Sequence, residues 1–548
     1  MRNAENSLDP FLLPEEEYRW LDGAINLDAC HHSRIDEFHA LTDEVYSKIT
    51  NGTVINNKYR SKQTLKTILL NLWVGYLCGN PVMYSRNANN YSHARRYGKL
   101  HFKYKRVLKI MDTMYALGYM DQRIGYFNRE DGVKRRTRIY AAEPLKELFE
   151  KYLPLGFNVV EREKPREIIQ LRGEDKVEID YPETKEITKQ RMFLHHYNQF
   201  VEHQDLKVDI PGDIPIKADF LRQLKLYLSE GFITLEYMRS ELNSLIENIQ
   251  LIRQDQMIEK AGREIEIEIF NNSEVTVLPI PNNNSNISIV NYYNKYLKDI
   301  YRYIYTITNN FLINKYSFID QSDNKERIVL RDLGVSRMVL GINYSSLHRV
   351  YNLGSFDLGG RFYGAFHLRM PSELRQLTYI NGNNMAEADY KALHIRMLYH
   401  MEQIDYRGDP YEAICKNPED RSFFKRLQLI AINAPTETKV LKGIRHEIWK
   451  NDLNYKSKNN DLYPLLERFK QAHKPIAKYL ATGIGRTLQN MDSAITESIL
   501  MTLKKKGIPA LPVHDSYVVE EKHKGLLAEV MNETYEKFMG YQPVIEFK

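Results

Sequence analysis

Apolar residues recur at intervals of three and four from about residue 61, in SKQTLKTILLNLWVGYLCG, and the run stops at a glycine. That pattern predicts an amphipathic helix with a glycine at its end. A second helix is expected around Tyr91–Tyr97 and a third through FKYKRVLKIMDTMYALGYM, residues 102–120. The following stretch, RIGYFNREDGVKRRTRIYAAEP, alternates on both sides of NREDG, as two strands joined by a turn would. Farther on, DFLRQLKLYLSEGFITLEYMRSELNSLIENIQLIRQDQMIEK (219–260) reads as helical, PIPNNNSNIS (279–288) as a polar loop, and the chain to about 320 as helix-rich. Near the other end, MAEADYKALHIRMLYH (385–400) suits a strand running into a helix, and RSFFKRLQLIAINAP (421–435) a helix. IPALPV and SYVVEE suit a hairpin with a His-Asp turn.

Helices followed by a basic hairpin predict a winged helix-turn-helix module over residues 1–150. Arg95, Arg96, Lys103, Lys105 and Arg106 would lie near its reading helix, and Lys134, Arg135, Arg136 and Arg138 on its wing. Such a module binds DNA by neutralising phosphates and reading base edges. Residues 151–190 are rich in mixed charge and read as a linker. Residues 191–330 read as a helical arm, and 331–548 as the part that carries chemistry.

Composition adds bounds. A chain of 548 residues exceeds one compact core, so several domains are expected. No apolar run is long enough to span a bilayer, and the first residues lack the order of a secretion signal, so a cytoplasmic protein with no membrane partner is expected. The three cysteines, Cys30, Cys78 and Cys415, have no metal-binding spacing. A net charge of +6 says little about partners, so the placing of the cations matters more.

The candidate chemistry lies in an aspartate, Asp515, at the centre of the otherwise apolar segment LPVHDSYVV. An unpaired buried carboxylate costs several kcal/mol, so the group must be solvated, paired or bound to a cation. Asp389, where a strand gives way to a helix, is a second carboxylate in a similar setting. Two carboxylates on adjacent strands are what a two-magnesium phosphoryl-transfer site needs, with Mn2+ as an alternative ion. Between them Arg421 and Lys425 are four residues apart, hence on one helix face, and suit a triphosphate. FDLGGRFYGAF offers paired glycines that let backbones approach closely, and Arg361 for a phosphate.

Together these segments resemble the palm and fingers of family A DNA polymerases and, more closely, the single-subunit phage and mitochondrial RNA polymerases. DYKALHIRM is similar to motif A, RSFFKR to motif B, VHDS to motif C, and DLGGRFY to an Asp-x-x-Gly-Arg-x-Tyr element of the RNA polymerases. The resemblance covers about residues 350–548. It implies an α+β protein, mainly helical, with an antiparallel-sheet palm and short helical fingers inserted at about 400–490. It implies Asp389 and Asp515 as catalytic metal ligands, and Arg421 and Lys425 on the incoming nucleotide. Arg361, Tyr363 and His514 would then stand near template or primer. His394 stands where the DNA polymerases have a ribose-excluding glutamate. Asn433, followed by Ala434, stands where the family has Tyr-Gly; both would face the nucleotide. The expected function is template-dependent synthesis of DNA from nucleoside triphosphates on a DNA template, with RNA as a further partner, in a replication enzyme of a mobile element, phage or plasmid. The alternatives are an RNA polymerase or primase, and a non-catalytic DNA-binding initiator or regulator with a degenerate palm.

Overall fold

The structure is a computed structural model that describes residues 15–50, 57–91, 95–97, 101–125, 135–153, 159–235, 266–271, 274–279, 304, 308, 310–333, 335–415, 418–451 and 459–548. It is a mixed helix-and-sheet protein with mainly antiparallel sheets. Two compact units form. One comprises Met1–Arg166, Leu206–Ser345 and Arg369–Thr378, and the other Glu167–Asp205, Ser346–Leu368 and Tyr379–Lys548.

The elements of the second unit are numbered along its chain. They are β1 (Ile169–Leu171), α1 (Lys185–Glu202), β2 (His348–Asn352), β3 (Ser355–Tyr363), β4 (Asn383–Tyr390), α2 (Leu393–Met401) and α3 (Pro418–Asn433). Then follow α4 (Glu437–Asn451), α5 (Asn459–Ala472), α6 (Gly485–Lys505), β5 (Leu511–Val513), β6 (Ser516–Glu520), α7 (Lys524–Met539) and β7 (Ile545–Phe547). The central sheet runs β5–β6–β4–β7, every pair antiparallel. Side chains alternate across a strand, so Ala386, Ala388 and Tyr390 share one face of β4 while Glu387 and Asp389 share the other. The first face packs on helices. Tyr390 Oη donates to the Met531 carbonyl of α7 at 2.7 Å, and Tyr517 of β6 pairs with Thr496 of α6 at 2.8 Å.

Helix α6 buries Leu488, Ile495, Ile499 and Leu503 along one stripe, at the 3/4 spacing of a helix face. The hairpin β2–β3 lies against this helix. Arg349 of β2 is buried and fully engaged: its guanidinium pairs with Glu497 and donates to Ser493 Oγ at 3.0 Å and to the Gly360 carbonyl at 2.8 Å. So close an approach explains a glycine at 360. Its φ is +84°, and a Cβ there would stand 2.6 Å from the Tyr351 ring and 3.1 Å from Ser493 Oγ.

In the first unit a sheet runs in the order Ile25–Asn26, Val82–Tyr84, Thr137–Ala141, Met120–Arg123. The first pair is parallel and the rest antiparallel. Helices Asp36–Thr50, Lys58–Cys78, Tyr104–Ala116 and Glu143–Tyr152 accompany it, with Phe38, Leu65, Leu69, Trp73, Ile110, Met114 and Phe149 in the core. The same unit holds an antiparallel sheet of Ile233–Leu235, Arg337–Ile342 and Leu206–Pro211, and a backbone hairpin Glu266–Asn271 with Glu274–Pro279.

Several expectations change. Where a helix is expected around Tyr91–Tyr97, the described residues form two 3-10 turns, Ala88–Tyr91 and Arg95–Tyr97. The turn NREDG and most of the expected 219–260 helix lie outside the described residues; the described part of the latter is Ala218–Ser229, then a strand. Within the charged stretch 151–190, Ile169, Gln170 and Leu171 are all buried and pair with β2. Glu167, also buried there, accepts from the Ile169 N–H at 2.9 Å and from Arg191 at 3.0 Å. The described residues of 191–330, read as a helical arm, include strands as well as helices. The segment Leu206–Pro211 alternates buried and half-buried positions, the period-two signature of a strand.

Gly360→Ala should cost about 2–4 kcal/mol in urea unfolding, the sum of left-handed strain and overpacking. Gly354→Ala, with φ +71° but only a 3.7 Å contact to Ile179, isolates the strain alone and should cost about 1–2 kcal/mol.

Candidate active site

Strands β4 and β6 pair with Asp389 opposite Ser516. The two residues between β5 and β6 are His514 and Asp515, a tight hairpin turn in which His514 takes φ +60°. The Tyr390 N–H donates to the Asp515 carbonyl at 3.1 Å, which extends the ladder by one residue and sets Asp515 beside the end of β4. The register therefore brings both aspartates to one end of the sheet, Asp389 as the last residue but one of its strand and Asp515 in the turn.

Their electrostatics follow. Burial, and then the charge of Asp515, push the Asp389 carboxyl up to about 6 from an ordinary 3.8, against the opposing pull of Lys548. Lys548 Nζ stands 3.1 Å from Asp389 Oδ2 and 3.0 Å from Glu387 Oε1, and Ser516 Oγ donates to the same Glu387 oxygen at 2.7 Å. Glu387 is almost completely buried.

A second cluster stands on α6. Asp492, buried within that helix's apolar stripe, accepts from Arg361 Nε of β3 at 3.1 Å and lies 2.9 Å from His394 Nε2 of α2. Arg361 Nη2 and His394 Nε2 are 3.2 Å apart. Burial would lower the Arg361 guanidinium, but the Asp492 carboxylate outweighs it and holds the group above its ordinary value, helped by the charge of Asp515. Arg361 and Asp492 line one small recess with His514, the neighbour of Asp515 in the turn.

Other expected residues stand apart. Arg421 forms a bidentate pair with Asp409 at 2.6 and 3.0 Å and lies over the Tyr411 ring. That hydrogen-bonded pairing holds the Asp409 carboxyl below its usual range, with a further contribution from Lys391, two residues beyond Asp389. Lys425 is exposed one turn along α3. Asn433 is exposed at the end of that helix, its amide donating to the Leu429 carbonyl at 2.8 Å. Tyr363 is 40% exposed at the end of β3, and His514 is exposed at its turn.

The basic residues of the first unit divide. Lys105 and Arg136 are exposed, Arg96 is half-exposed, and Lys103 directly precedes the Tyr104–Ala116 helix. Arg106 donates to the His101 carbonyl at 2.8 Å, and Arg135 is ion-paired with Asp22. Arg138 does not decorate a wing. It is buried, and its guanidinium donates to the carbonyls of Leu21 at 2.9 Å and Arg136 at 2.5 Å, because the end of the Glu15–Asp22 helix covers that face of the strand. Arg95 is in the Arg95–Tyr97 turn, and Lys134 lies outside the described residues.

Three residues of the site went unnoticed in the sequence. Glu387 had a signal, since alternation in MAEADY places it on the face of Asp389. Asp492 also had one: a carboxylate within the repeat Leu488, Asp492, Ile495, Ile499 calls for a cationic partner. Lys548 had none, because only strand pairing brings it there.

No family model and no curated protein matches this chain. Among solved structures it is similar to the POL domain of Pol1 from M. smegmatis in complex with DNA primer-template and dNTP. The identity is 11% and the TM-score 0.32, over 87% of this chain and 80% of that one. A TM-score so low does not define a common fold, and the reading of the site rests on its own residues.

A carboxyl raised in the folded state keeps its proton where the unfolded chain has lost it, so stability falls as pH rises from about 4 to about 6. Asp389→Asn should therefore be more stable than the wild type at about pH 8, by about 1–3 kcal/mol, and equal to it at about pH 4. Urea unfolding at the two pH values checks this. A variant no more stable at the higher pH shows that burial does not hold the Asp389 proton.

Proposed function

We propose that the chain is a template-dependent nucleic-acid polymerase whose reaction centre is the pair Asp389 and Asp515. The observation that supports it is the pair itself, two carboxylates brought by strand register to one end of an antiparallel sheet, one raising the other's affinity for a cation or proton. Among the described residues no group of three or more His, Cys, Asp and Glu could hold a metal. Two carboxylates suit magnesium nonetheless, since that ion takes few protein ligands and completes its shell with water and phosphate oxygens. Asp389 and Asp515 would hold the ions, Mg2+ or Mn2+, which when bound offset charge on the reacting phosphoryl group.

The chain's own residues have these roles. Arg361, kept charged and oriented by Asp492, presents a cation beside the turn of His514 and Asp515, where a strand's phosphate or 3′ end would lie. Lys425 is free of the constraint that Asp409 puts on Arg421 and would meet the triphosphate first; Arg421 would follow by exchanging Asp409 for phosphate. His394, held by Asp492, would contact the nucleotide as part of that cluster and not as an isolated steric wall. In the reaction the 3′-hydroxyl attacks the α-phosphorus, the bond to the bridging oxygen breaks, and pyrophosphate leaves. Lys105, Arg136 and Arg96 of the first unit would hold duplex DNA.

A second reading has one observation in its favour. Lys548 already pairs with Asp389, as it would in a palm that only binds nucleic acid. Asp389→Asn and Asp515→Asn separate the two. Both should lose magnesium-dependent incorporation of labelled nucleotide on a primed template by about a thousandfold or more while duplex binding persists. Activity above a few per cent in both variants contradicts the catalytic reading.

For the first unit, Lys105→Glu combined with Arg136→Glu should weaken duplex binding and flatten its dependence on salt, each lost phosphate contact reducing the slope by about 1. Filter binding across a salt series checks it, and an unchanged slope removes these residues from the interface.

A further inference from the structure

Lys548 holds two carboxylates of different character. Its backbone N–H donates to the Glu387 carbonyl at 3.0 Å, continuing the pairing of β7 with β4, and so its side chain is delivered to the face that carries Glu387 and Asp389. The Glu387 side chain is 3% exposed and that of Asp389 25% exposed. A carboxylate as deeply buried as Glu387 keeps its charge only with a cation beside it, and the Ser516 hydroxyl that also donates to it carries none. Asp389 differs: solvent reaches it, and so can an ion.

We propose that Lys548 is the resident counter-cation of the reaction centre: it neutralises Asp389 until a divalent ion takes that carboxylate, and is then retained by Glu387. The proposal rests on the reading of Asp389 as a metal ligand. It assigns Glu387 and Ser516 a purpose as well. They anchor the ammonium at its inner end, so that it gives up Asp389 without leaving the site. Lys548 is thus a positioning residue. It competes with the incoming ion, because a positive charge about 3 Å from the ligand oxygen repels a dication across the same short gap.

The test is Mn2+ binding to the full chain, read from the electron paramagnetic resonance of the free ion at about pH 8, where carboxylates are ionised. Lys548→Met should bind Mn2+ at about tenfold lower concentration than the wild type, as expected for removal of a close like charge. Lys548→Gln retains a hydrogen bond to Glu387 without the charge and should do the same, so a folding defect in the methionine variant does not remove the test. A lysine that merely closes the strand pairing predicts equal affinity in all three proteins. Equal or weaker binding in the lysine variants, with binding still lost in Asp389→Asn, overturns this proposal alone. Undiminished binding in Asp389→Asn overturns the metal-site reading and this proposal with it.

Discussion

Negative charge that has to be kept near an apolar sheet governs the second unit. Glu387 and Asp389 project from β4, Asp515 stands in the adjoining turn, and Asp492 and Glu497 project from the helix behind. Cations from other elements meet them. Lys548, following β7, serves Glu387 and Asp389; Arg361 of β3 serves Asp492; Arg349 of β2 serves Glu497. Each pair crosses between elements far apart in sequence, so charge neutralisation and assembly are the same event. Removing one partner of the most deeply buried pair, Arg349 with Glu497, costs about 3–5 kcal/mol, because the other charge is left uncompensated in a poor solvent.

The same pairs explain why the backbone is tight where it is. For Arg349 to reach Ser493 and Glu497, the β2–β3 hairpin must lie on α6 with no side chain between them at Gly360. The paired glycines of DLGGRFY therefore serve packing directly, and through it they place Arg361 beside Asp492. Two links of the chain from sequence to function meet here: a conformational need of the backbone and the orientation of a cation at the candidate site.

Much of the local architecture was legible. The 3/4 spacing in SKQTLKTILLNLWVGYLCG and FKYKRVLKIMDTMYALGYM corresponds to Lys58–Cys78 and Tyr104–Ala116, and the strand-to-helix change at Asp389 and the hairpin around His514 are where the pattern puts them. Short strands hidden among charges were misread, as at Ile169–Leu171, because three residues are too few to show a period. Single cations were misjudged too. Composition does not distinguish Arg138, covered by the Glu15–Asp22 helix, from Arg136, exposed two residues earlier.

By itself the sequence determined which residues carry unusual charge: an aspartate within LPVHDSYVV, another at the end of MAEAD, and Arg361 beside paired glycines. Periodicity reports whether a residue faces inward or outward, and a charge facing inward shows itself in that pattern. What only the tertiary structure decided is who answers each charge. Lys548 for Asp389 and Asp492 for Arg361 are contacts fixed by strand register and helix packing over separations that no local pattern records. A salt bridge depends on distance in space, and distance in space between residues so far apart along the chain exists only once it has folded.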